Sequence, residues 1–198
     1  METENVLLMK QARESLKDKW SIAVGVCFLY ILITLVAGAP KGIGPVLAIL
    51  IKGPMLFGLV LFSLALSRGK EVSIEQLFSG FNDFLRTLTA YLLMCLFTLL
   101  WLLLLIVPGV IAALAYSQTF FILTEDKNIS ARDAIKKSKA MMNGHKEKLF
   151  FLGLRFFGWF VLGALTMGIG FLWILPYFYV TMAKFYDDVS GKTIKSAA

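Results

Sequence analysis

The stretch LLLLIVPGVIAALAYS, residues 102–117, decides how the rest of the chain is read. It lies within residues 87–124, 38 consecutive positions without Asp, Glu, Lys, Arg or His. One bilayer crossing takes about 20 apolar residues, so this run is long enough for about two. Pro108 and Gly109 fall near its middle. Proline lacks an amide donor and restrains its predecessor, while glycine tolerates left-handed backbone, so the pair suits a tight turn. The expectation is a helical hairpin reversing at Pro108–Gly109. A single helix kinked at the proline is the competing reading, but a straight apolar helix of that length overruns a bilayer.

Composition points the same way. Of the 198 residues 58% are hydrophobic and 17% charged, with 17 Phe and 4 Trp, and the mean hydropathy is +0.76. A soluble domain usually carries about 25% charged residues. The start, METENVLLMKQARESLKDKW, is polar and mixed in sign, with no cleavage site closing a short apolar run. Residues 20–40 are therefore expected to act as an uncleaved first membrane helix. Cys27 and Cys95 fall in apolar stretches and read as small packing residues, not as a disulfide framework or metal ligands.

These patterns predict an all-α, polytopic membrane helical bundle of about six transmembrane helices with amphipathic cytoplasmic connecting helices. The whole of 1–198 is one integral membrane domain, with an N-terminal amphipathic segment at 1–19, the bundle at 20–186 and a tail at 187–198. The crossings are expected at 20–39, 45–67, 87–107 and 110–124, with two more dividing 149–183 at the MGIG turn, 167–170. The second is interrupted by Lys52, Gly53 and Pro54. Either it runs through them, or the helix starts at Pro54, where proline suits a first turn, and 42–51 is interfacial or re-entrant. Pro176 places a kink in the last crossing, where Tyr177, Tyr179 or Thr181 are positioned to meet freed backbone groups.

The connectors carry helical signatures. In SIEQLFSGF, 73–81, Ser73 and Gln76 stand in capping-box relation, and Ile74, Leu77, Phe78 and Phe81 form one apolar face. In SARDAIKKSKAMM, 130–142, Ser130 and Asp133 cap a helix with Ala131, Ala134, Ile135, Ser138 and Met142 on one side. Arg132, Lys136, Lys137 and Lys139 occupy the other and are the candidate contacts for lipid or a partner. Leu8, Ala12 and Leu16 give the N-terminal segment a weaker stripe. Such helices lie in the headgroup plane or pack on the ends of membrane helices.

Charge orients the chain. Of 20 Lys and Arg, 17 fall in 1–19, 68–86, 125–148 and 184–198, all on one face if the crossings are even in number. Basic loops stay on the cytoplasmic side, so both termini are expected there, in the cytoplasmic membrane. The same bias accounts for the net charge of +7 by attraction to anionic lipid and argues against nucleic acid. Arg155 is the one charge set deep in an apolar run. It snorkels to the headgroups, or it turns inward to pair with Asp187 or Asp188 or to hold a lipid phosphate.

No catalytic, cofactor-binding or metal constellation is legible. The single histidine, His145, cannot build a histidine metal cluster, and no nucleophile triad, phosphate loop or dinucleotide fingerprint is present. All 13 acidic residues lie outside the expected crossings, which weakens an ion-coupled transporter. Gly153, Gly158 and Gly163 recur every five residues and spread around a helix, a weak dimerisation signal.

Several fragments together, namely LFSGF at 77–81, LLIVPG at 104–109, AYSQTFFILTED at 115–126, ARDAIKKSKAMMNGHK at 131–146 and GIGFLWILPYFYVTMAKFY at 168–186, resemble the DUF975 family. GPMLFG at 53–58 and SRGKEV at 67–72 resemble it too. These are integral membrane proteins, mostly of Gram-positive bacteria. The resemblance implies a bacterial membrane topology and assigns no activity or catalytic residue. The expected function is non-enzymatic, an accessory or scaffold protein working through anionic lipid, a membrane protein partner or a homo-oligomer at its basic face. The alternative is a permease or export component for a small or amphiphilic substrate.

Overall fold

The computed structural model describes residues 4–192, so the end of the expected tail, 193–198, lies outside the described residues. It is helical throughout, with no strand among the described residues. In order come α1 (Asn5–Leu16), α2 (Trp20–Gly38), α3 (Gly44–Ser67), a 3₁₀ helix (Ile74–Phe81), α4 (Phe84–Leu104) and α5 (Ile106–Tyr116). Then follow α6 (Thr119–Glu125), α7 (Ala131–Met141), α8 (Lys146–Leu165) and α9 (Phe171–Val189). Among the described residues five helical stretches are long and apolar enough to cross a membrane: α2, α3, α4, α5 with α6 taken together, and α8. The expected sixth, α9, is outside that set. Its last turns carry Lys184, Asp187 and Asp188 and are packed in protein, with Ala183 and Phe185 fully buried.

The expected hairpin in 87–124 and the expected reversal in 149–183 are both present, each with its own chemistry at the turn. Between α4 and α5 the chain turns at Leu105, whose backbone is extended (φ −163°, ψ 146°), three residues before Pro108. Pro108 sits in the first turn of α5, where its missing N–H costs no helical bond. Gly109 serves close approach, because a Cβ there would lie 2.8 Å from Leu102 Cα. Between α8 and α9 the reversal is at the expected place. Met167 (φ 54°) and Gly168 (φ 92°) take left-handed backbone, and Thr166 Oγ1 accepts from Gly170 N–H at 2.9 Å.

Helix α3 runs unbroken through Lys52, Gly53 and Pro54, so the reading in which the helix begins at Pro54 is set aside. Packing explains the tolerance. Gly53 lies against the α4 backbone at Thr87 and Leu88, and the Pro54 backbone lies against Gly80 of the 3₁₀ helix. One turn on, Gly58 meets the Leu77 carbonyl with no room for a side chain. Two motif fragments distant in sequence, 53–58 and 77–81, thus interlock backbone to backbone.

That 3₁₀ helix departs from expectation. An α-helix would bury Ile74, Leu77, Phe78 and Phe81 together; with three residues per turn, Leu77 and Gly80 point inward instead. Ile74, Phe78 and Phe81 remain exposed. The capping box is not formed either. Ser73 makes no side-chain cap bond, and Gln76 Nε2 reaches the Glu71 carbonyl at 3.5 Å.

The core occupies one half of the bundle. Met55, Leu59, Phe62 and Leu66 on the second half of α3 pack with Ala12 and Leu16 of α1 and with α2. A neighbouring cluster joins Phe57, Val60 and Leu64 to Phe120–Leu123 of α6, Leu152 and Phe156 of α8, and Phe185 of α9. The N-terminal stripe Leu8, Ala12 and Leu16 is wholly buried, so the segment is a docked helix. The opposite half, including residues 99–107, presents apolar side chains outward.

Candidate functional site

Helix α7 is the element that brings the expected contact residues together. Ser130 caps it: its Oγ accepts from Asp133 N–H at 3.1 Å and donates to Asp133 Oδ2 at 2.7 Å. The hydroxyl bond holds the Asp133 carboxyl below its ordinary value, and Lys136 adds a weaker pull in the same direction. Ala131, Ala134, Ile135 and Ser138 are buried, followed by Met142, so the expected inner face is the observed one. Arg132, Lys136, Lys137 and Lys139 all point outward and are exposed. Lys136 also meets Asp133 at 3.5 Å with both side chains largely exposed, so water screens the pair.

What α7 docks against is a broken helix. Between Tyr116 and Thr119 the α-helical hydrogen-bond pattern lapses: Ser117 keeps helical backbone (φ −57°, ψ −29°) but bonds to Leu114 three residues back, and Gln118 turns to φ −90°, ψ 0°. A break among apolar elements strands backbone groups that must find partners. Ser138 supplies them from α7. Its hydroxyl donates to the Ala115 carbonyl at 2.8 Å and accepts from Gln118 N–H at 3.2 Å. Ser117 Oγ and Thr119 Oγ1 donate to the Leu114 and Tyr116 carbonyls at 2.8 and 2.7 Å, and Gln118 Nε2 donates to Ser117 Oγ at 3.0 Å. The expected crossing 110–124 falls within one candidate span, 106–125, but this break interrupts it. The signal was present in Ser117, Gln118 and Thr119, three polar residues in a row within an otherwise apolar run.

A second polar assembly ties helix ends together at the core end of the bundle. Arg68, just past α3, donates from Nε to both carboxylate oxygens of Asp187, each at 3.2 Å. Its Nη2 bridges Asp187 and Glu125, each at 2.5 Å. Tyr186 donates to Glu125 Oε2 at 2.6 Å, Lys192 pairs with Glu125 Oε1, and Lys184 donates to the Ser67 carbonyl. Nearby, Lys148 pairs with Asp188 at 2.5 Å, and Asn5 Nδ2 donates to the Lys148 carbonyl at 2.9 Å. The clasp therefore joins α1, α3, α6, α8 and α9. Burial opposes charge on Arg68, yet the bonds to Asp187 and Glu125 outweigh it and raise the guanidinium above its ordinary value. The clasp borders a cleft of about 450 Å³ whose wall includes Leu61 and Leu64. With Arg68 and Lys192 already set against Asp187 and Glu125, this is a self-neutralised fastening.

The clasp also corrects the inward reading of Arg155. Asp187 is taken by Arg68 and Asp188 by Lys148, while Arg155 is exposed on α8. It faces outward, apart from those carboxylates. Pro176 sits within α9, and Thr181 Oγ1 donates to the Tyr177 carbonyl at 2.7 Å. Among the described residues no group of three His, Cys, Asp or Glu is placed to hold a metal ion. Cys27 is buried and Cys95 exposed, both as free thiols.

Comparison with known families matches the chain to the family described as Protein of unknown function (DUF975), over residues 1–115 and 102–193. No curated protein and no solved structure matches it. With nearly its whole length matched, the chain belongs to the DUF975 family.

Proposed function

We propose that this DUF975 protein is a non-enzymatic accessory or scaffold protein of the bacterial cytoplasmic membrane, engaging anionic lipid headgroups or an acidic partner through the outer face of α7. With α9 counted as a sixth crossing beside the five candidate spans, the number is even and both termini lie on the cytoplasmic side with the four basic segments. The observation that carries the reading is how the face is mounted. Four cations are exposed on a helix whose other side is locked into the core and hydrogen-bonded across the α5–α6 break. Cations on a fixed scaffold lose little freedom on binding, and each basic residue near an anionic membrane surface contributes about 1 kcal/mol.

The test is in-membrane crosslinking at native abundance, followed by mass spectrometry. It compares the wild type with the combined variant Lys136→Gln, Lys137→Gln and Lys139→Gln. The expected result is a reproducible partner or enrichment of anionic lipid that drops in the variant while insertion and abundance are unchanged. Equal recovery from both proteins refutes the proposal.

A further inference from the structure

We infer that the α4–α5 hairpin is a re-entrant wedge that enters the bilayer obliquely and turns within the acyl chains, instead of two full crossings. The premise is the place of α7. Its Ile135 lies in one cluster with Leu93, Met94 and Phe97 of α4 and with Ala112, Ala115 and Tyr116 of α5. Ser138 is bonded to the same stretch. The charged face of α7 therefore stands beside the middle of α4, not at its start. Four exposed cations do not reside in hydrocarbon, so that level of the hairpin belongs to the headgroup region.

What remains beyond it is short. From Leu93, the first α4 residue of that cluster, to the end of α4 at Leu104 is eleven residues, about 16 Å of helix, and from Ala115, which Ser138 bonds, back to Ile106 is nine, about 14 Å. A lysine or arginine stem lowers the boundary by a few ångström more. The hydrocarbon core is about 30 Å thick, so the tip ends inside it.

Two further observations agree. Residues 99–107 are exposed on every side, and 99–114 contain no charged, amide or hydroxyl-bearing side chain, unlike the other two reversals, which carry Lys41 and Thr166. A tip reaching water on the far side would present bare backbone and leucine to it. At the tip, Leu105 N–H donates to the Trp101 carbonyl at 3.1 Å and Gly109 N–H to the Leu105 carbonyl at 3.2 Å. Pro108 removes one donor that hydrocarbon could not satisfy. Along α4 a different flank, Leu85, Leu92 and Leu96, is exposed and apolar. A helix with water-facing α7 on one flank and an apolar stripe on another suits oblique entry. The inference holds whether the basic face takes lipid or a protein. It removes α4 and α5–α6 from the candidate crossings and leaves α2, α3 and α8, with α9 as the fourth that an even count requires.

The test is a spin label at Leu105→Cys in the full-length Cys95→Ala protein, reconstituted in phosphatidylcholine–phosphatidylglycerol vesicles, with Lys136→Cys as the aqueous control. The label is expected to collide freely with oxygen and hardly at all with a water-soluble nickel chelate, at a depth between the phosphates and the bilayer centre. Nickel access at Leu105, on the far surface, overturns the wedge and restores two crossings. Access to neither reagent also overturns it, because the tip is then covered by protein. Val107→Cys, exposed on the same tip, repeats the measurement should the first variant fail to fold.

Discussion

Replacing Ser138 by alanine tests how α7 is held. The side chain is fully buried, and its hydroxyl is the link between the Ala115 carbonyl at 2.8 Å and Gln118 N–H at 3.2 Å. Alanine deletes one oxygen, and the space left is too small for a bridging water. Each buried backbone group left without a partner costs about 1–3 kcal/mol. Two such groups, partly relieved by local adjustment, give an expected loss of roughly 2–4 kcal/mol. Against a typical stability of about 5–15 kcal/mol, that is a large fraction. The assay is thermal unfolding of the purified protein in one detergent, followed by circular dichroism, with limited proteolysis across 126–130 as a local readout. Ser138→Ala should melt well below the wild type and be cut faster at the α6–α7 connection. A Ser138→Ala protein within about 0.5 kcal/mol of wild type, the range of a neutral surface change, would refute the account of the break.

Gly58→Ala should be severely destabilising, beyond the roughly 1–3 kcal/mol of ordinary overpacking, because its Cβ meets the Leu77 carbonyl backbone. Gly153→Ala, in open space on α8, should be neutral or gain up to about 1 kcal/mol; a similar melting temperature for the two variants would contradict the interlock of 53–58 with 77–81. At the clasp, Arg68→Met leaves the nearly buried Asp187 carboxylate unpaired and should cost up to about 3 kcal/mol. Adding Asp187→Leu should restore most of that by removing the orphaned charge. Failure of the double variant to recover, measured in the same melts, would show that the clasp contributes more than charge compensation.

Much of the architecture was legible because it depends on local rules. The uncharged run 87–124 demanded a hairpin, MGIG at 167–170 demanded a turn, and both are present. The stripe Leu8, Ala12, Leu16 and the two-sided pattern of 130–142 named faces that are buried and exposed as read. Ser130 and Asp133 announced the cap they form. Each of these is a property of a few neighbouring residues and the period of a helix.

Periodicity tells that a face will be buried but not what buries it, and there the tertiary structure decided. Lys52, Gly53 and Pro54 read as a breach in α3, yet the helix continues because the backbones of α4 and the 3₁₀ helix close on its small residues. The connector 74–81 chose three residues per turn over 3.6, since Gly80 and Leu77 had to meet α3 closely. Arg68 found Glu125 and Asp187 across 57 and 119 residues, while Arg155, the charge that drew attention in sequence, turned outward. Ion pairs are short-ranged and nearly indifferent to chain separation, so their partners are set by which helix ends converge. The depth of the 102–117 hairpin, too, follows from where α7 docks on it. Its composition establishes that the stretch belongs in lipid, and the neighbour packed against it limits how far it reaches.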